Sequence, residues 1–335
     1  MRHRLKDVAE KAGVSVKTVS NVVNGYQHVR PTTRARVEQA IAELNYRPNL
    51  SARNLRKGRT GVIALAVPEL DIPYFAELAR HVVVAAAELG WTVLIDQTDG
   101  GREQERVAAT GIGDHLIDGL IFSPLALTAD ELVGLDGTPM VLLGERVDPG
   151  PADHVMIDNV AAAHEITSHL IGLGRRRIAA VGSQRDPEGA SARLRLAGYR
   201  AALAAAGLGY DERLVAPAPA WHRADGAAAV RGLLESGVRF DAVFCFNDTL
   251  ALGALRALHE HGLRVPGDVA VAGFDDIEDG RFSIPTLSTI APDKERIGRL
   301  AVELLVDRIE GDRAAPPRAL TAPYRLEPRE STLGR

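Results

Sequence analysis

Residues 5–24, LKDVAEKAGVSVKTVSNVVN, constrain this chain more than any other stretch. They read as two short helices joined by a tight turn. Val8, Ala9 and Ala12 form an apolar stripe on the first helix, and Val19, Val22 and Val23 return to it from the second. Gly13 stands where the chain must reverse, at a backbone angle that glycine tolerates. Ser15 is placed to cap the second helix by accepting from the Thr18 amide. That leaves Val16, Lys17, Ser20 and Asn21 facing outward. Small, cationic and amide side chains on one helix face suit base edges in a DNA major groove. The same face would also serve as the solvated side of a plain helical hairpin.

Pro31 suits the first turn of a third helix, expected to run to about Asn45 with Val37, Ala40, Ile41 and Leu44 buried. Tyr46-Arg47-Pro48 ends it. Asn49 to Lys57 follows, with Leu50, Ala52 and Leu55 as its apolar anchors, a segment too short to be helical by itself.

Together DVAEKAGVS…TVSNVVN, TRARVEQAIAELNYRPN and SARNL resemble the lactose-repressor (LacI/GalR) family of bacterial transcription regulators. The resemblance implies a helix-turn-helix headpiece at 1–48, a hinge helix and linker at 49–60, and an effector-binding and dimerisation core at 61–335. It also implies DNA contacts from Lys6, Ser15, Val16, Lys17, Ser20, Asn21, Asn24, His28, Arg30 and Thr33, with Leu55 wedging between central base pairs. Arg30 stands where a capping serine is expected and would exchange the cap for a phosphate contact.

Charge divides the same way. Residues 1–60 hold 13 Lys and Arg against 4 Asp and Glu, and the remainder 27 against 40, so a +9 head joins a −13 body. That asymmetry confines attraction for phosphate to one end. The single cysteine excludes an intrachain disulfide and fits a reducing cytosol. No apolar run reaches the roughly 18 residues that span a bilayer, and MRHRLKD lacks a signal peptide's apolar segment. The expectation is a cytoplasmic protein.

From Gly61 the texture becomes that of an α/β chain. Strands are expected at 61–68, 92–96, 118–123, 140–144, 177–182, 241–246 and 269–274. Helices are expected at Tyr74–Leu89, 102–114, His164–Leu173, Ala190–Ala206, Gly226–Ser236, Thr249–His261 and Glu295–Ile309. The family likeness implies a two-lobed core similar to periplasmic sugar-binding proteins, crossed near 158–162, 285–292 and 317–323. Lobe one would be about 61–160 and 293–317, lobe two about 163–285 plus the tail.

Candidate ligand groups sit at the expected strand ends, where open α/β sheets bind ligands: Asp71, Tyr74 and Phe75; Glu145 and Arg146; Asn247 and Asp248; Asp275 and Asp276. Trp221 precedes a helix and Arg195 lies within one. Polar groups of this kind grip sugar hydroxyls and an aromatic covers the ring's apolar side, although Asn247 or Asp248 would equally cap the following helix, Asp276 a turn, and Arg195 a surface pair. The resemblance assigns effector contact to Arg195 in RLAGY, Asp275 in GFDD, Asn247 in FND, Trp221, and Tyr74 and Phe75 in PYFAEL, with Glu145 less closely matched. Purine-binding members carry an arginine and a threonine where this chain has Gly189 and Ser191, so the resemblance favours a sugar.

Gly-x-Ser-x-Gly, His-Glu-x-x-His and P-loop patterns are absent, and the ten histidines are scattered. Neither an enzyme nor a cofactor or metal protein is expected. The reading is a regulator, released from a palindromic operator by a sugar-like effector and acting as a homodimer, since PYRLEPRESTLGR carries no leucine heptads. A corepressor-type regulator, or a sugar-binding or sugar-modifying protein with an accessory basic head, is the alternative.

Overall fold

The computed structural model describes residues 3–334 except 24–25, 27, 47–58, 111–115, 134–137, 145–151, 185–189 and 312–314. The chain divides into two compact units, 1–61 and 62–335.

The first unit contains α1 (Leu5–Ala12), α2 (Val16–Val23) and α3 (Pro31–Glu43). Gly13 ends α1 at φ +63, and its N–H reaches the carbonyls of Ala9 and Glu10. The Thr18 amide donates to Ser15 Oγ at 3.1 Å, so α2 starts on the expected cap. Val8, Ala9, Ala12, Val19, Val22, Val37, Ala40 and Tyr46 form the core. Val23, Ile41 and Leu44 are only half-buried. Tyr46, expected merely as part of a stop signal, is buried and joins this core.

The second unit holds two sheets. The first comprises β1 (Val62–Val67), β2 (Thr92–Gln97), β3 (Gly119–Phe122), β4 (Met140–Leu143), β5 (Asp153–Met156) and β11 (Ala319–Thr321), in the order β11-β5-β4-β3-β1-β2 and wholly parallel. β1 is apolar throughout because both its faces are covered. Ile63, Leu65 and Val67 enter the main core, while Ala64 and Ala66 meet Ala108 and Ala109 of α5 (Arg102–Ala109). α4 (Pro73–Glu88) packs on this sheet, and α6 (Ala129–Val133) follows β3.

The second sheet comprises β6 (Ile178–Ser183), β7 (Val215–Pro217), β8 (Ala242–Cys245), β9 (Ala270–Phe274), β10 (Ser288–Pro292) and β12 (Tyr324–Glu327), in the order β12-β10-β9-β8-β6-β7. Only β12 runs antiparallel. Its helices pack in pairs, α7 (Asn159–Gly172) on α8 (Ala190–Ala205) and α9 (Arg223–Glu235) on α10 (Asp248–Glu260). Glycine permits the second pairing: a Cβ on Gly253 would lie 1.9 Å from the Arg223 carbonyl oxygen. α11 (Glu278–Phe282) and α13 (Glu330–Leu333) are short, and α12 (Lys294–Glu310) returns to pack on α4 and the first sheet.

Three connections join the sheets: β5 to α7, β10 to α12, and β11 to β12. The first lobe therefore extends past the expected 317 to include Ala319–Thr321, and the second extends past 285 to Pro292. α7 starts five residues before the expected His164, because the Asp158 carboxylate accepts from the Ala161 amide at 2.8 Å and caps it. The expected helix over 102–114 is observed as α5 to Ala109, and its final residues fall outside those described. β5, β7, β10, β11 and β12 were not expected. Each has three to five residues, too few to show a period.

Fully buried Asp153 on β5 anchors this junction. Its carboxylate accepts from Arg308 Nε (2.9 Å) and Nη2 (2.8 Å), and from the Arg318 amide (2.7 Å) and Nη2 (2.9 Å). Burial alone would raise its pKa, but those arginine bonds outweigh burial and hold it down at about 2.

Candidate functional site: a headpiece face and an interlobe cleft

In the first unit, α2 presents Val16 and Lys17 to solvent, with Ser20 and Asn21 half-exposed beside them. Val16 is 46% exposed, unusual for valine in a small core-forming helix. Lys6, Ser15, His28 and Arg30 are exposed and Thr33 is half-buried. Arg30 makes no side-chain cap to α3, so its guanidinium is left to other uses. The His28 ring meets Tyr26 edge-on at 5.4 Å. Asn24 and Leu55, and the hinge segment with it, lie outside the described residues.

In the second unit a cavity of about 760 Å³ opens between the two lobes. It lies beyond the carboxyl ends of β1, β3, β6, β8 and β9, as open parallel sheets favour. Of the residues expected to bind effector, Tyr74, Phe75, Arg195, Trp221, Asn247 and Asp275 all line it. Glu145 lies outside the described residues.

Tyr74 and Phe75 stand on the first turn of α4, ring to ring at 5.3 Å and nearly perpendicular. Arg195 projects from α8 and is almost wholly buried. Its Nε donates to Asn159 Oδ1 at 2.7 Å, its Nη1 to the Phe246 carbonyl, and its Nη2 lies 3.8 Å from Asp275 Oδ1. The guanidinium rests on the Phe274 ring, 3.6 Å from its centroid. A charge so fixed presents its remaining N–H groups in one geometry, which is what recognition of vicinal hydroxyls needs. Trp221 forms part of the wall. Its indole N–H donates to the Gly182 carbonyl at 2.8 Å, which sets the ring plane.

Asn247 does two jobs. Its Oδ1 accepts from the Leu250 amide at 2.8 Å and caps α10, while its Nδ2 donates to the Trp221 carbonyl at 3.1 Å. The cap and the cleft position are therefore the same side chain.

The three aspartates do not converge on the cavity. Asp248 is wholly buried, accepting from Thr289 Oγ1 (2.7 Å) and the Ile277 amide (3.0 Å). Burial, aided by the charge of Asp275, pushes its carboxyl well above the usual range. Asp276 pairs with Arg281 and Arg329; burial opposes its ionisation, but those two guanidinium bonds win and lower its pKa. Only Asp275 faces the cavity. It holds φ +113 and Asp276 φ +49, a strained pair of left-handed residues. Lys294 Nζ secures them by donating to both carbonyls, at 2.6 and 3.0 Å.

Two supporting residues carried no sequence signal. Asn159 orients Arg195 from the first interlobe connection. Glu105, fully buried on α5, accepts from the amides of Leu125 (2.6 Å), Ala126 (3.0 Å) and Leu127 (2.8 Å), fixing the loop that brings Pro124 and Leu125 to the cavity wall.

A helix-turn-helix unit joined to a two-lobed ligand-binding core defines a ligand-responsive regulator. Residues 4–49 match the family of bacterial regulatory proteins of the lacI type, and residues 167–332 match the periplasmic binding protein-like domain. The HTH-type transcriptional regulator CelR of Thermobifida fusca is 38% identical over 330 residues, 95% of each chain. Among solved structures, a CelR–cellobiose complex is 35% identical (TM-score 0.73), covering 98% of this chain and all of that one. The lac repressor dimer bound to operator and the anti-inducer ONPF is 31% identical (TM-score 0.85), covering 99% of this chain and all of that one. The chain belongs to the lacI family of transcription regulators.

Proposed function

We propose that the protein is a repressor that binds a palindromic operator as a homodimer and is released from it by a small sugar-like effector in the interlobe cleft. The observation that carries the effector reading is the fixed, buried Arg195 facing Asp275, with Trp221, Tyr74 and Phe75 on the same cavity. It offers paired polar groups for hydroxyls and aromatic faces for a ring's apolar side. A cavity of about 760 Å³ has room for more than one pyranose ring, and the cellobiose complex of CelR is a relative with a disaccharide bound.

Lys17 and Asn21 on α2 would read guanine and adenine, with Val16 against a thymine methyl. Dimerisation is supported by apolar side chains left outside the core: Val84 on α4, Leu94 and Ile95 on the edge strand β2, and Phe282 and Ile284, the last 96% exposed. The operator-bound lac repressor is such a dimer. Leu55 is proposed to wedge into the minor groove at the operator centre.

Selection from a random duplex pool, followed by a thermal-shift screen of mono- and disaccharides, tests both halves. The reading requires a palindromic site and a sugar that raises the melting temperature and weakens that site. A protein that selects no sequence would instead be a sugar-binding protein with an accessory head.

A further inference from the structure

Glu69 and Asp71 stand on the loop between β1 and α4 in the first lobe, and His222 stands at the entrance to α9 in the second. One ligand atom from each lies within 4.8 Å of the other two, and His222 Nε2 is 2.9 Å from Glu69 Oε2. We propose that these three residues form a divalent-cation site across the rim of the cleft, taking a first-row ion such as Zn²⁺ or Mn²⁺.

Three features support it. The donor set is one imidazole and two carboxylates, which suits such ions with water filling the remaining positions. Two carboxylates and one imidazole share a small volume, where a single divalent ion can draw on all three donors at once. Both supporting backbones are pinned. The Leu70 amide, between the two carboxylates, donates to Gln97 Oε1 at 3.0 Å, and the His222 amide donates to Asp225 Oδ2 at 3.0 Å. The donors are thus presented by fixed turns, not by free loops.

The site differs from the effector set. Glu69 touches the cavity, but Asp71 and His222 do not line it. Because the donors come from opposite lobes, the ion binds only where the lobes approach as they do here, and it favours that arrangement by its differential affinity.

Isothermal titration of the metal-stripped full chain with Zn²⁺, and separately with Mn²⁺, tests the proposal against His222→Gln and Asp71→Asn. The expected result is one saturable site per chain for at least one of the two ions, weakened about tenfold or more in both variants. Asp71 is exposed at a helix entrance, so its variant keeps the test decisive if His222→Gln disturbs α9. No saturable site in the unmodified chain, or undiminished affinity in either variant, overturns it and leaves Glu69 and His222 as a simple ion pair.

Discussion

The Lys294 ammonium donates to the main-chain oxygen of Asp275 at 2.6 Å, and the same ammonium reaches the Glu77 carboxylate on α4. Lys294 opens α12, immediately after the second interlobe connection. The aspartate that faces the cavity is therefore tied through one buried side chain to the helix carrying Tyr74 and Phe75. Lys294→Met should remove one donor from the Asp275 and Asp276 carbonyls and the counter-charge of Glu77, and cost about 2–4 kcal/mol of core stability. Chemical denaturation of the full chain measures it; a loss below about 0.5 kcal/mol would mean that Lys294 is incidental.

Asp275→Ala should abolish the response to the identified sugar while leaving operator affinity within a few-fold of the parent chain. The carboxylate faces the cleft, whereas the headpiece is a separate unit. Gel shifts with and without sugar read both quantities. A variant released at the parent's sugar concentration would remove Asp275 from the binding set.

Lys17→Ala should relax preference at one symmetric base pair at a cost of about 1–3 kcal/mol, without shifting the helix, since Lys17 is exposed and the core lies on the other face. Selection profiles of parent and variant decide this, and identical profiles would refute it.

The outward face of α2 was legible because a helix that buries Val19 and Val22 turns Lys17 to the opposite side. The same logic located Asn247 and Asp275, which sit just past apolar strands whose ends parallel-sheet topology turns into binding sites. What could not be read were partners that are distant in sequence. Glu105 serves a loop 20 residues away and Asn159 an arginine 36 residues away, and neither spacing has a local period. The sequence also could not separate Asp248, Asp275 and Asp276. Only the fold shows the first consumed by Thr289 and Ile277 and the third by two arginines.

Stability should fall steeply in acid through Asp153. Its folded pKa, about 2, lies below the ordinary 3.8, so its contribution is full above that value and is lost as pH falls towards about 2. Asp153→Asn should cost about 3 kcal/mol at neutral pH, because Arg308 and Arg318 lose their counter-charge, and should flatten the stability profile below pH 4. Urea midpoints across that range test both statements; an unchanged slope would place the acid sensitivity elsewhere.

Linkage makes the direction of control measurable. If the sugar releases operator, operator must weaken sugar binding by the same factor, typically about 1–3 kcal/mol. Calorimetric titration of sugar into the free protein and into its operator complex gives both sides of the cycle. Tighter binding in the complex would make the sugar a corepressor.

Cys245 ends β8, fully enclosed, its thiol pushed up in pKa by burial and by the nearby charge of Asp248. It is the chain's sole cysteine. A thiol in that state is inert towards alkylating reagents and oxidants while the second sheet is intact. Rigid-body opening of the cleft leaves β8 covered, so an iodoacetamide label would accumulate only when this lobe itself comes apart. The molecule thus carries a chemical clock for the unfolding of one lobe, indifferent to whether its ligand has come or gone.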